Sequence, residues 1–109
     1  MSVLQTHERV GPGLPLVEVL VRQPDLSRPG WLSAQLDDVL RVRPERVVVD
    51  LGQCSTIDAA GLRVLLEAHC ELRRRGGVLV LRGLCPRLER VIGLTGLTEV
   101  FDVEGRARC

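Results

Sequence analysis

The spacing of apolar residues changes along the chain and predicts strands at four places. Residues 14–21 alternate weakly and are rich in β-branched side chains, a pattern typical of a strand with one face better buried than the other. Residues 47–49 with Leu51, and residues 78–81, are short continuous apolar runs, which indicate strands covered on both faces. Residues 100–103 can add a last short strand.

Three stretches between these strands carry apolar residues at helical spacing. They are residues 32–40, closed by Pro44, residues 59–75, closed by Gly76 and Gly77, and a shorter stretch that begins at Pro86. The apolar stripe of the second helix consists of Leu62, Leu65, Leu66, His69 and Leu72.

The order of these elements predicts an α/β fold. A strand, a helix and a strand within so few residues imply parallel pairing through a right-handed crossover. If residues 3–10 are extended, the turn at residues 11–13 makes an N-terminal hairpin with the strand at 14–21. We therefore expect one domain over residues 1–109: a mixed, mostly parallel sheet of four to five strands with an N-terminal hairpin, packed against helices. Its core covers about residues 14–103, and we expect a loosely held tail at residues 104–109.

Composition narrows the class of partner. The chain has 109 residues, 45% of them hydrophobic and 27% charged, so it can fold as one globular domain. Trp31 and Phe101 are its only aromatic residues, which leaves little to stack on nucleic-acid bases. A net charge of +1 supplies no field that would draw the chain onto nucleic acid or an anionic membrane. We expect a cytoplasmic protein, because no apolar run approaches the about 20 residues that span a bilayer and no signal-peptide core is present.

The cysteines and His69 favour structural roles. Cys54, Cys70, Cys85 and Cys109 form no Cys-x-x-Cys pair, so we expect small buried thiols in a reducing compartment, and no metal site. His69 lies on an apolar stripe without a second histidine at ligand spacing, which favours a packed side chain.

The sequence offers no catalytic machinery. It has no phosphate-binding loop, no dinucleotide fingerprint and no nucleophile elbow. The arginines at 73–75 suit the last turn of a helix, where they interact with the helix dipole and stay solvated. We therefore expect no enzyme activity and no cofactor.

The start of the second helix is the best candidate for a binding surface. Asp58 can cap this helix, because its carboxylate can accept hydrogen bonds from the free N–H groups of the first turn. Small residues follow at Ala59, Ala60 and Gly61, so another backbone could approach closely. In an α/β sheet this loop lies at the carboxyl ends of the strands, where ligands and partners usually meet the protein.

These residues resemble the STAS domain, as found in bacterial anti-sigma factor antagonists. The resemblance covers about residues 14–103 and rests on five ordered motifs: residues 47–51, 55–62, 76–77, 86–88 and 94–97.

The resemblance implies a protein-interaction switch. Family antagonists bind an anti-sigma factor, a GHKL-type serine kinase, and thereby free a sigma factor. The kinase turns them off by phosphorylating the serine that follows the motif aspartate. Here that position is Ala59, which has no hydroxyl group, so phosphorylation at this position is excluded. The surface implied for the partner comprises Asp25, Ser55, Thr56, Asp58, Ala59, Ala60, Gly61, Leu62 and Arg63.

Some alternatives remain open at this stage. Ser55 and Thr56 are the nearest remaining hydroxyl groups, and they can equally satisfy loop amides. Asp25 matches the family's acidic position loosely and is read as a turn residue. The chain could instead be the STAS subunit of an ABC-type lipid-transport assembly, bound to its cytosolic ATPase. A nucleotide-binding role and a weak homodimer also remain possible.

Overall fold

The fold is an α/β arrangement of strands and helices in alternation. The computed structural model describes residues 16–22, 25–26, 30–96 and 100–106, without the side chains of Leu26 and Arg106. Along the chain the elements are β1 (Leu16–Leu20), β2 (Asp25–Leu26), α1 (Gly30–Arg41), β3 (Arg46–Asp50), β4 (Thr56–Ile57), α2 (Ala59–Arg74), β5 (Val78–Leu84), α3 (Pro86–Leu94) and β6 (Asp102–Arg106).

The main sheet has the strand order β1-β3-β5-β6, and each neighbouring pair is parallel. Val19, Val49, Leu81 and Val103 lie side by side across it. The prediction of an α/β fold with a mostly parallel sheet is thus confirmed. Residues 3–10, where we predicted the first strand of a hairpin, lie outside the described residues.

One face of the sheet carries the hydrophobic core. Val17 and Val19 of β1, Val47 and Val49 of β3, and Leu79 and Leu81 of β5 point to this face and are buried. They pack against apolar side chains of the helices, such as Leu36 of α1, Leu65 of α2 and Leu88 of α3. Successive residues of β1 therefore point alternately to the core face and to the opposite face, as the sequence predicted.

The opposite face of the sheet carries a network of ion pairs centred on Arg82 of β5. The Arg82 guanidinium donates to Glu18 of β1 at 2.7 Å and to Asp50 of β3 at 3.1 Å, and it lies 3.9 Å from Glu104 of β6. The hydrogen bond with Glu18 is the main cause that raises the pKa of Arg82 above its ordinary value, with Asp50 adding to it and burial opposing it. Val48 is buried on this same face. The network thus ties together all strands of the main sheet.

The last strand lies later in the chain than predicted. Phe101 is buried, but the strand begins at Asp102 and runs to Arg106. Residues 104–106 of the predicted tail therefore belong to β6, which pairs with β5, and residues 107–109 lie outside the described residues. The bounds of β6 are set by its pairing with β5, in which Glu104 lies beside Arg82. The mostly apolar residues 100–103 are too few to fix the register of the strand by themselves.

The prediction of small buried thiols holds for one of the described cysteines only. Cys54 is a free, buried thiol, whereas Cys70 is free but exposed. Cys85 is buried, as predicted, yet it is disulfide-bonded. Cys70 points away from the core because it follows the buried His69 directly, and adjacent helix positions differ by about 100°.

His69 is a packed side chain, as predicted. Its ring meets Phe101 edge-on with the ring centroids 5.6 Å apart, and its Nδ1 is buried without a hydrogen-bond partner. Among the described residues no group of three or more histidine, cysteine or acidic side chains could hold a metal ion.

Candidate functional site

The candidate site lies at the carboxyl ends of the strands, where the chain leaves β3 and enters α2. Residues 51–55 connect β3 to the short strand β4, and Asp58 separates β4 from α2. Cys54 and Ile57 are buried and anchor this connection to the core. The loop therefore presents its remaining side chains on a fixed support.

Asp50 holds the first turn of this connection. Its Oδ1 accepts from the Gly52 N–H at 2.8 Å, while Oδ2 accepts from Arg82 at 3.1 Å. Gly83 of β5 lies directly against this turn: a Cβ added at Gly83 would stand 3.0 Å from the Gly52 Cα. Two glycines thus allow the turn and the strand to approach closely. The sequence analysis did not predict this role of Asp50. An aspartate that accepts a hydrogen bond from the backbone amide two residues later is nevertheless a known turn signal.

A second, two-stranded sheet brings Asp25 to the site. Strand β2 pairs in parallel with β4, which places Asp25 opposite Thr56 and Leu26 opposite Ile57. Asp25 lies in this strand and not in a turn, so the turn interpretation is wrong. The pairing joins Asp25 to the segment that the sequence singled out.

Asp58 caps α2 as predicted. It has extended backbone angles, and its Oδ1 accepts from the Gly61 N–H at 3.0 Å. α2 then runs from Ala59 to Arg74, close to the predicted 59–75. The cap fixes the carboxylate at the positive end of the helix dipole, where a negative charge is favoured.

The structure divides the predicted site residues into exposed and buried groups. Asp58, Ala59, Ala60 and Arg63 are exposed, and so is Asp25. Ser55 and Thr56 are half-buried, and Ser55 already has an interaction partner. Gly61 and Leu62 are buried and support the surface from below. The exposed part therefore consists of two carboxylates, two methyl groups and the guanidinium of Arg63.

A groove between α1 and α2 was not predicted. This α1–α2 groove has a volume of about 460 Å³ and an apolar floor of Leu36, Leu40, Val64 and Ala68. Charged side chains of both helices form its rim. The apolar periodicity of each helix indicates which residues face the core, but the groove arises only from the packing of one helix beside the other.

The chain resembles known proteins of one kind. A family model described as "Mlab, STAS domain" matches residues 25–103. A candidate anti-sigma factor antagonist of Bordetella bronchiseptica, BtrV, is 42% identical over 72 residues, which are 66% of this chain and 59% of that protein. The anti-sigma-B factor antagonist of Listeria monocytogenes is 39% identical over 56 residues, 51% of this chain and 49% of that protein. The chain thus spans between 49% and 59% of the length of these curated relatives.

Solved structures show the same fold. A candidate anti-sigma factor antagonist from Thermotoga maritima superposes with a TM-score of 0.73 at 19% identity, covering 81% of this chain and 77% of that one. An anti-sigma factor antagonist from Mycobacterium paratuberculosis gives a TM-score of 0.68 at 22% identity, covering 92% of this chain and 84% of that one. Within the described residues, no helix is both long enough and apolar enough to cross a membrane.

Proposed function

The chain belongs to the STAS domain family, and we propose that it acts as an anti-sigma factor antagonist, which binds an anti-sigma factor kinase through the start of α2 and so releases a sigma factor. The observation that carries this proposal is the exposed patch of Asp58, Ala59 and Ala60 at a capped helix start, in a chain whose relatives are named as such antagonists. The proposal makes the chain a binding protein that acts in the cytoplasm, and it assigns no enzyme activity.

The shape of the patch supports docking of another protein. Methyl side chains at Ala59 and Ala60 let a partner's backbone come close to the helix start, and they lose no side-chain entropy on binding. Asp58 and Asp25 supply two exposed carboxylates in addition to these methyl groups. A partner that places cationic groups or N–H donors over the patch would satisfy both.

Control of binding differs from the family's usual pattern in this proposal. Ala59 stands where the resemblance places the phosphorylated serine, so the bound kinase has no hydroxyl to modify there. A phosphate would add a charge of about −1.5 to −2 at the patch, beside Asp58. Without it, the amount of free antagonist is set by affinity and concentration.

The proposal is tested by titrating the protein with the purified anti-sigma factor kinase from the source organism, using calorimetry. We expect a dissociation constant in the micromolar range or tighter. Ala59→Arg should weaken binding about tenfold or more, because it fills the patch with a long side chain. Ala34→Arg, at an exposed position of α1, is the matched control and should bind as the wild type does. Absence of binding at about 100 μM, well above ordinary affinities, would refute the proposal.

A second experiment examines the role of Ala59. Incubation with the kinase and ATP should leave the wild type unmodified and phosphorylate Ala59→Ser, as followed by intact-protein mass spectrometry. Phosphorylation of the wild type, which would have to fall on another hydroxyl such as Thr56 or Ser55, would contradict this view of its control.

The same kind of titration distinguishes the proposed function from the transport alternative. If the chain is instead the STAS subunit of an ABC-type assembly, it should bind the cytosolic ATPase of that assembly and ignore the anti-sigma factor. The relatives from Bordetella bronchiseptica and Listeria monocytogenes are named as anti-sigma factor antagonists, which favours the first function.

A further inference from the structure

We propose that the α1–α2 groove receives an amphipathic helical segment of the same partner, so that the binding surface extends from the start of α2 along both helices. This inference rests on the proposed function and adds a second contact area with its own chemistry. Three features of the groove support it: its continuity with the patch, its closed far end and the charges at its mouth.

The groove is continuous with the patch at the start of α2. Ala60, Val64, Glu67 and Glu71 are spaced by four, three and four residues, so they share one face of α2. Ala60 belongs to the exposed patch, and the other three line the groove. α1 comes after β1 and β2, and α2 comes after β3 and β4, so both helices start on the side of the main sheet where β1 and β3 end. A segment that lies on Ala60 therefore meets the open end of the groove one helical turn later.

The far end of the groove is closed by Arg75. Its guanidinium donates to the Leu40 carbonyl oxygen at the end of α1 at 2.7 Å, and it pairs with Glu71 of α2 at 2.8 Å. This side chain bridges the two helices. An occupant therefore enters from the side of the patch, over a length of about 12 Å from Ser33 to Arg41 at the helical rise of 1.5 Å per residue.

The floor and the rim define the chemistry of the occupant. Leu40 and Val64 are half-buried hydrophobic residues on the floor, so apolar side chains placed there would complete their burial. Asp37 has no ion pair among the described residues. Glu67 has only a weak one, at 3.6 Å to Arg63, with both side chains mostly exposed. The rim also carries Arg41, which lies near Arg75 at the far end and pairs with Asp38 at 3.7 Å. Nearer the patch, Asp37 and Glu67 match an apolar helix face flanked by a lysine or arginine, as in other helix-in-groove complexes.

The experiment compares groove variants with matched controls in the titration against the purified anti-sigma factor kinase. Val64→Arg fills the floor, and Asp37→Lys reverses the charge at the mouth. Each should weaken binding about tenfold, the size of a typical hot-spot effect. Ala34→Arg on α1 and Asp102→Lys on β6 introduce the same side chains at exposed positions that do not line the groove, and they should bind as the wild type does.

The outcomes separate this inference from the proposed function. If Ala59→Arg abolishes binding while Val64→Arg and Asp37→Lys leave it unchanged, the groove is not part of the interface, and the proposed function stands. If the wild type does not bind the kinase at all, both fall. Asp37 is exposed, so Asp37→Lys tests the groove even if Val64→Arg impairs folding, which circular dichroism would reveal.

Discussion

At the scale of single residues, Asp58 caps α2, and in the proposed function it also contacts the partner. Its Oδ1 is engaged by the Gly61 N–H, yet the residue is exposed, so the same carboxylate can stabilise the helix and face a partner. The two roles differ in what they need: the cap needs an oxygen acceptor, and attraction of a cationic partner needs the negative charge.

Two substitutions at Asp58 separate these roles. Asp58→Ala should lower the free energy of unfolding by about 1 kcal/mol, because the cap is lost. Asp58→Asn should keep most of the stability that the cap provides, because asparagine also accepts a hydrogen bond there. Chemical denaturation measures this effect. Both variants should weaken binding of the anti-sigma factor kinase if the charge contributes. Equal stability of Asp58→Ala and the wild type would show that the cap adds nothing.

Gly83 has little freedom to change. Its φ is +76°, and an added Cβ would meet the backbone of Gly52 at 3.0 Å. Gly96 has the same φ of +76° but open space around it. The pair therefore offers the same left-handed backbone with and without a close contact.

In Gly83→Ala, the left-handed backbone alone should lower the free energy of unfolding by about 1 kcal/mol. The contact of the added Cβ with Gly52 should lower it further. Gly96→Ala should show the backbone cost without the contact. Thermal unfolding of both variants gives the difference. If the two lose equal stability, the close approach of β5 to the turn at Gly52 is not a constraint.

At the scale of elements, the Arg82 network couples strands that are distant in sequence. Glu18 and Asp50 both contact the same guanidinium nitrogen, with about a quarter of each carboxylate side chain exposed. Without Arg82, two neighbouring carboxylates would lack their shared counter-charge. Ion pairs that are this sheltered from solvent contribute more to stability than ion pairs in full contact with solvent.

Arg82→Met should therefore lower the free energy of unfolding by about 1–3 kcal/mol, the range for removing one partner of a sheltered charged hydrogen bond. Arg63→Met is the control, because the Arg63–Glu67 pair is mostly exposed and should cost less than about 1 kcal/mol. Urea denaturation at low salt compares the two. A smaller effect of Arg82→Met than of Arg63→Met would contradict the structural role of the network.

The helices were more predictable than the short strands. The start of α2 was predicted because a capping aspartate, small residues and an apolar stripe occur together within a few residues. The strand β2 was missed because it pairs over only Asp25 and Leu26, too few residues for an alternation pattern. β6 was placed too early because its end is set by pairing with β5.

At the scale of the whole molecule, the chain combines a low net charge with several exposed apolar side chains. The net charge is +1 at pH 7, and the sequence isoelectric point is about 7.7. Val42 and Leu94 are exposed hydrophobic residues, at 62% and 82% of their surface. Little electrostatic repulsion therefore opposes contact between copies near neutral pH, which is consistent with the predicted weak homodimer.

Self-association should be strongest near pH 7.7 and decrease on both sides, because the net charge becomes more positive below this pH and more negative above it. Light scattering over a concentration series measures this as a minimum in the second virial coefficient. Leu94→Glu should reduce association at pH 7.7 if Leu94 takes part. A coefficient that does not vary between about pH 6 and 9 would show that charge does not govern association.

The sequence by itself determined the class of fold, the helices and the capped start of α2. Each depends on neighbours within a few residues, through the period of apolar side chains and the hydrogen bonds of a helix end. Only the tertiary structure decided that Asp25 lies beside Thr56, that Arg82 joins Glu18 to Asp50 and that α1 and α2 form a groove. These contacts connect segments far apart in the chain, and they follow from strand order and helix packing, which no local pattern specifies.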